Sequence, residues 1–99
     1  MIRHIVMYWL KDNQNESLIQ ETIQKFQSME GKIPGLLSVE AGRDVVGSPR
    51  SCDLCLCTLL ENLNALDTYL NHPAHLPVKE HMHAIMERSA SADFAVDSL

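Results

Sequence analysis

The chain has 99 residues, of which 45% are hydrophobic and 21% are charged, and its formal net charge is −5. This length supports one hydrophobic core, so residues 1–99 are expected to form a single domain. The acidic balance and the scattered basic residues exclude nucleic acid as an expected partner, because nucleic-acid binding needs a concentrated basic surface. The apolar runs are too short to span a membrane, so no membrane partner is expected either.

The expected location is the cytoplasm. The chain has three cysteines, Cys52, Cys55 and Cys57, an odd number that fits a reducing compartment better than a disulfide framework. The opening Met-Ile-Arg-His leads directly into a strand-like segment and does not have the pattern of a secretory signal.

The first half of the chain predicts a strand, a helix and a second strand. Residues 2–10 are rich in β-branched and aromatic side chains, whose alternation separates His4 and Val6 from Ile5 and Met7. Asn15 is a candidate N-cap for a helix that begins near Glu16 and is ended by Gly31. The apolar residues of this helix have helical spacing: Leu18, Ile19, Ile23, Phe26 and Met29. After a loop, residues 36–41 alternate like a strand.

The second half predicts a hairpin partner, a broken helix and a weaker last strand. Residues 52–60 form the third strand, and Asn62 can cap a helix over residues 63–70. Pro73 disfavours helical geometry at the preceding residue but is tolerated in a first turn, so a second helix restarts there and runs to about Arg88. The shared faces of the two helices are predicted as Leu63, Leu66, Tyr69 and Leu70 in the first, and His75, Val78, Met82, Ile85 and Met86 in the second. Residues 89–96 complete the order β-α-β-β-α-α-β.

This order is typical of an α+β, ferredoxin-like fold, a four-stranded antiparallel sheet with helices on one face. The other face retains Ile5, Met7 and Trp9, and no remaining segment can cover it. A second copy could do so, and burial would contribute roughly 1.5 to 3 kcal/mol for each side chain. The sequence therefore predicts a homodimer that pairs through the sheet face.

Three segments resemble the stress-responsive dimeric A/B barrel (Dabb) family. They are the opening Met-Ile-Arg-His-Ile-Val, the loop Lys32-Ile33-Pro34-Gly35-Leu36, and Asp53 through Tyr69 followed by His72-Pro73-Ala74-His75. The resemblance spans nearly the whole chain and implies a ferredoxin-like monomer whose sheet pairs with its mate into an α/β barrel. Most bacterial members have no assigned activity and are described as stress-responsive or uncharacterised.

One plant branch of this family, the polyketide cyclase that makes olivetolic acid, implies site residues for this chain. Its strand-one histidine, a tyrosine and the second histidine of its HPAH segment correspond by position to His4, Tyr69 and His75. Another tyrosine of that cyclase corresponds to Phe26, so one hydroxyl of the cyclase site is missing here.

Some plant relatives also hold Mg²⁺ through backbone carbonyls of the helix-to-strand loop, which would be Glu30, Ile33 and Leu36 here. Carbonyl ligands leave little side-chain signature, so the sequence does not decide whether this loop binds a cation.

The residues alone also support a pocket, because His75 lies on the core face of a helix and His4 can point towards it from the sheet. We hypothesise that His75 acts as a general base, that Tyr69 orients it or the substrate, and that His4 donates to a developing enolate. The expected pocket wall comprises Val6, Phe26, His72 and Met82.

Two functions remain open at this point. The pocket could support cyclase-like or isomerase-like acid/base chemistry on a small hydrophobic carbonyl compound. The alternative is a non-enzymatic stress-response or stability protein that acts as a dimer, in which His75 only packs a helix start.

Neither function needs a cofactor, and none is predicted. A loose zinc-like pattern, Cys52-x-x-Cys55 with His72-x-x-His75, is rejected as a metal site. Strand residues three apart point to opposite faces, and Pro73 interrupts the histidine pair.

Overall fold

The central strand of the sheet, β1 (Ile2–Leu10), forms ladders on both sides in the computed structural model, which describes residues 1–97. The elements that follow it are α1 (Glu16–Gln27), β2 (Leu36–Arg43), β3 (Leu54–Leu60), α2 (Leu63–Asn71), α3 (Leu76–Ile85) and β4 (Met86–Ala95). All strand pairs are antiparallel, and the sheet order is β2-β3-β1-β4. The predicted α+β fold and the β2–β3 hairpin are confirmed.

The two faces of the sheet differ as strand alternation requires. The inner face carries His4, Val6 and Tyr8 of β1 and packs against the helices. We call the opposite side the open face. Arg3 and Arg88 lie on it together with a group of apolar residues, which are Ile5, Met7, Trp9, Cys55, Cys57, Ala90, Ala92 and Phe94. On this face Met7 is 38% exposed and Phe94 is 48% exposed, so large apolar side chains remain in contact with solvent.

Both predicted N-caps are present. The side chain of Asn15 accepts the N–H of Leu18 at 3.1 Å, and that of Asn62 accepts the N–H of Ala65 at 2.9 Å. The helical segment of α1 ends at Gln27, four residues before Gly31, and turns carry the chain on to that glycine, whose φ is +82°. No helix among residues 1–97 is long and apolar enough to cross a membrane.

The buried face of α2 differs from the prediction. Leu63 and Leu70 are 68% and 39% exposed, whereas Ala65 and Tyr69 are buried. The reason lies at Gly35, because a Cβ on this residue would stand 2.6 Å from the Cβ of Ala65. The glycine lets the helix approach the sheet along its Ala65–Tyr69 edge, which leaves Leu63 in solvent and Leu70 partly exposed.

The prediction that the last helix continues to about Arg88 is wrong. The helix ends at Ile85, and β4 begins at Met86, which pairs with Leu10. The carbonyl of Ile85 accepts the N–H of Lys11 at 2.9 Å, and the Arg88 guanidinium lies 3.7 Å from the centroid of the Trp9 ring. Pairing with β1 therefore places Met86 to Arg88 in a strand and ends the helix before them. The third strand likewise begins at Leu54, so Cys52 lies outside it.

We expect Gly35→Ala to destabilise the protein more than Gly31→Ala does. Both glycines have φ above +80°, a conformation that costs an L residue about 1–2 kcal/mol. Only at Gly35 does the added methyl group meet Ala65, which adds about 1–3 kcal/mol of overpacking. Urea unfolding of the two variants measures the difference, and equal midpoints would contradict the close contact between the loop and α2.

Candidate functional site

A cavity of about 360 Å³ lies between the inner face of the sheet and the two C-terminal helices. Its wall combines apolar side chains with histidines, tyrosines, a lysine and serines. The apolar members are Val6, Leu56, Leu70, Val78, Met82 and Met86. A mainly apolar cavity with a few convergent polar groups is the usual form of a small-molecule site.

His75 contributes an imidazole whose hydrogen-bonding state can be inferred from its partner. Its Nδ1 lies 3.3 Å from the carbonyl oxygen of Leu70, and a carbonyl can only accept. Nδ1 therefore carries the hydrogen, and Nε2 keeps its lone pair in the neutral ring. Burial lowers the pKa of His75, the bond to Leu70 opposes this, and the positive charge of Lys79 lowers it further. The neutral ring, which can act as a base, is thus favoured at neutral pH.

Tyr69 lies between His4 and His75, two of the three histidines that line the cavity. Its ring centroid is 4.4 Å from that of His75 and 5.8 Å from that of His4. The Tyr69 hydroxyl is buried and has no hydrogen-bond partner among residues 1–97. Burial, followed by the effect of Tyr8, raises the pKa of Tyr69 above its ordinary value. Tyr69 is therefore a neutral phenol whose hydroxyl has no protein acceptor among residues 1–97, and it is unsuited to act as a base.

His4 is held by a carboxylate on the neighbouring strand. Its Nδ1 lies 2.5 Å from Oδ1 of Asp93, the residue directly opposite it on β4. Because a carboxylate accepts, Nδ1 carries a hydrogen here as well, and Nε2 is the ring nitrogen left for a ligand. Asp93 thus fixes the orientation of His4 in the cavity wall, the same function that carboxylates serve behind many catalytic imidazoles.

The structure brings His4, Tyr69 and His75 together, with Val6 and Met82 in the same wall. It does not place Phe26 or His72 at this cavity. Phe26 is fully buried behind Tyr8, with their rings stacked at 5.7 Å. His72 turns its Nδ1 to the N–H of Ala74 at 3.0 Å and so serves the turn between the helices.

Five polar residues near the cavity were not predicted from the sequence as site residues: Lys79, His83, Ser89, Ser91 and Asp93. Lys79 and His83 lie on α3 and follow its N-cap residue His75 at intervals of four residues, so all three reach the same cavity wall. Asp93 could have been found only from the register between β1 and β4.

A metal site does not emerge from the described side chains. Residues 1–97 contain no group of three His, Cys, Asp or Glu side chains placed to hold a metal ion. In the loop before β2, the carbonyl of Ile33 accepts the N–H of Leu36 at 3.1 Å and so closes a turn. Nothing in this geometry assigns a cation to the carbonyls of Glu30, Ile33 and Leu36.

Comparison with known proteins gives a consistent family and fold. A family model described as a stress responsive A/B barrel domain matches residues 2–96. An uncharacterised protein of Streptomyces coelicolor is 30% identical over 77 residues, which cover 76% of this chain and 79% of the relative.

Two solved structures illustrate the range of proteins that share the fold. A dimeric ferredoxin-like protein of unknown function from Thermobifida fusca has a TM-score of 0.86 at 20% identity, covering 96% of this chain and 90% of its own. A hydroxynitrile lyase from Passiflora edulis has a TM-score of 0.83 at 13% identity, covering 99% and 94%. At these identities the likeness establishes the fold alone.

The lowered pKa of His75 predicts a pH dependence of stability. Between the lowered value and the ordinary 6.5, the unfolded chain binds more protons than the folded one at this residue. The contribution of His75 is therefore present above pH 6.5 and is lost as pH falls below it. Unfolding free energies of the wild type and His75→Asn, measured from pH 7.5 to 5, should converge towards acid pH; a constant difference would contradict the shift.

Proposed function

This chain belongs to the stress-responsive A/B barrel family, and on that premise we propose that it acts as a homodimer with a small-molecule site, catalysing proton transfer on a hydrophobic carbonyl compound. One observation supports the proposal. His4 and His75 line one cavity on either side of the buried Tyr69, and each is bonded through Nδ1 to a protein oxygen, which leaves Nε2 without a protein partner among residues 1–97. A hydrophobic core without a ligand has no need of two imidazoles and a phenol at one mainly apolar cavity.

The proposed chemistry begins at His75. Its Nε2 removes a proton from the carbon next to the ligand carbonyl, and the electron pair left behind forms the carbon–carbon double bond of an enolate. The negative charge then lies on the carbonyl oxygen. In a ligand with a neighbouring carbon–carbon double bond, the enolate is extended, and return of the proton from His75 to its far carbon gives isomerisation. Attack of the enolate carbon on a second carbonyl of the same molecule gives cyclisation, and the proton held by His75 passes to the new alkoxide oxygen.

The enolate oxygen is stabilised by Tyr69 and His4. The phenol of Tyr69 has no other acceptor among residues 1–97, so its hydrogen bond is available to this oxygen. His4 donates from Nε2 when both ring nitrogens carry hydrogen, a state whose charge Asp93 balances. Donors placed where charge develops are commonly the largest single contribution to catalysis.

The homodimer is proposed on the basis of the open face. Its apolar side chains lie along β1, β3 and β4, and Phe94 and Met7 are largely accessible in the single chain. Sheet-to-sheet packing of two copies would remove them from water. The dimeric state described for the Thermobifida fusca protein of the same fold supports this arrangement.

We expect the protein to accelerate hydrogen–deuterium exchange next to the carbonyl of 4-phenyl-2-butanone in D₂O, observed as the loss of the corresponding proton NMR signals. His75→Asn should reduce the enzymatic rate about 100-fold or more, the usual contribution of a general base. Tyr69→Phe should reduce it about 100-fold through loss of a donor to the enolate oxygen.

The matched control is His72→Asn, which removes an imidazole outside the cavity and offers an amide oxygen to the Ala74 N–H. Its rate should equal that of the wild type. Wild-type exchange at the buffer rate, or full activity in His75→Asn, would contradict the proposed chemistry.

The dimer is tested by replacing a side chain on the open face. Met7→Asp places a charge in the proposed contact and should raise the dissociation constant at least tenfold, because loss of one buried apolar side chain costs about 1.5–3 kcal/mol. Leu63→Asp, on α2 and already 68% exposed, is the control and should leave the dimer intact. Sedimentation at micromolar concentration measures both, and a monomeric wild type would contradict the assembly.

A further inference from the structure

The charge of the cavity wall is opposite to the charge of the chain. The whole protein has a formal net charge of −5. The lining of the cavity nevertheless includes Lys79, His4, His75 and His83. No residue of the whole lining is Asp or Glu. The carboxylate of Asp93 stands behind this wall and is bonded to His4. A ligand in the cavity therefore meets one cationic group, Lys79, and several hydrogen-bonding imidazoles, but no lining carboxylate.

Lys79 is the only lysine or arginine of this wall, and its charge is not neutralised within the described chain. The ion pairs among residues 1–97 are His4 with Asp93 and Arg43 with Glu16, and neither involves Lys79. Lys79 lies one helical turn after His75, near enough that its charge lowers the pKa of that histidine. The ammonium group is thus close to the proposed base and available to a ligand.

The remaining polar groups lie across the cavity on β4. Ser89 and Ser91 stand opposite Tyr8 and Val6 in the strand register, so their side chains share the inner face. Both residues are exposed, and neither hydroxyl bonds to another group within residues 1–97. These hydroxyls and Lys79 are the polar groups near the exposed part of the wall, whereas Leu56, Val78 and Met82 are buried and apolar.

We infer that the cavity takes an amphipathic anion, a carbonyl compound whose carboxylate is bound by Lys79 and whose apolar tail lies against Leu56, Val78 and Met82. The inference rests on the proposed function and makes its substrate class more specific. The carboxylate accepts hydrogen bonds from the Lys79 ammonium and from the serine hydroxyls. This places the carbonyl, farther along the molecule, near Tyr69 and His75.

The test compares 4-phenylbutanoate with 4-phenylbutanamide, which has nearly the same shape but no charge, by isothermal titration at pH 7.5 and low ionic strength. The acid should bind about three- to fivefold more tightly than the amide, the range expected for one partly exposed ion pair. Lys79→Met should remove this preference without weakening the amide. Lys32→Met, an exposed lysine outside the cavity wall, should leave the preference unchanged.

The outcomes separate this inference from the proposed function. Equal affinity for acid and amide, unchanged in Lys79→Met, overturns the anionic ligand and leaves a neutral carbonyl compound as the substrate class. A preference that persists in Lys79→Met also overturns it. If neither compound binds and 4-phenyl-2-butanone shows no exchange, the small-molecule site itself is refuted.

Discussion

The register of β1, paired on both sides, determines which side chains reach the cavity. Side chains alternate along a strand, so a slip of one residue would move His4 to the open face and turn Ile5 inward. In the observed register His4 stands opposite Thr58 of β3 and Asp93 of β4. Thr58 is fully buried, and its hydroxyl donates to the backbone carbonyl of His4 at 3.4 Å. The carboxylate of Asp93 is bonded to Nδ1 of the His4 ring. Backbone pairing and the position of the imidazole are therefore set by one ladder.

The break at Pro73 provides the second constraint on the site. In one continuous helix, residues 69 and 75 would be about 600° apart in rotation, equivalent to 240°, and would point to different sides. Instead α2 ends at Asn71, a turn follows, and α3 begins at Leu76, so that the Tyr69 and His75 rings approach to 4.4 Å. His72 itself stabilises this turn through the N–H of Ala74. The histidine that stabilises the turn and the histidine at the cavity therefore serve different purposes.

Local patterns in the sequence were sufficient for most elements. The alternation of residues 2–10 and the two asparagine caps each act over a few residues, and the structure has them where they were predicted. The predicted break between the helices is also present, but α3 begins at Leu76 and not at Pro73. The end of α3 was not predictable in this way. Met86 continues the helical spacing of Val78 and Met82, yet it also suits the inner face of a strand, and pairing with Leu10 decides between the two.

Local patterns in the sequence likewise predict some residues of the candidate site and not others. His4, Tyr69 and His75 could be inferred because strand alternation, helix spacing and the resemblance to the family all favour them. Asp93 could not, because its position depends on a ladder between residues far apart in the sequence. Phe26 fits the apolar stripe of α1, but the intervening Tyr8 ring separates it from the cavity, which is a matter of packing depth that periodicity does not encode.

The Tyr69 hydroxyl lowers the stability of the fold but has a use in the proposed reaction. A buried hydroxyl without a partner costs about 1–3 kcal/mol, whereas phenylalanine would fill nearly the same volume without that cost. Packing alone therefore gives no reason for a tyrosine between His4 and His75. A ligand carbonyl that accepts its hydrogen bond offsets the cost only when the site is filled, and more fully as negative charge develops on that oxygen. In the proposed reaction this hydrogen bond is stronger in the transition state than in the bound substrate, and that difference, rather than packing, is what catalysis requires.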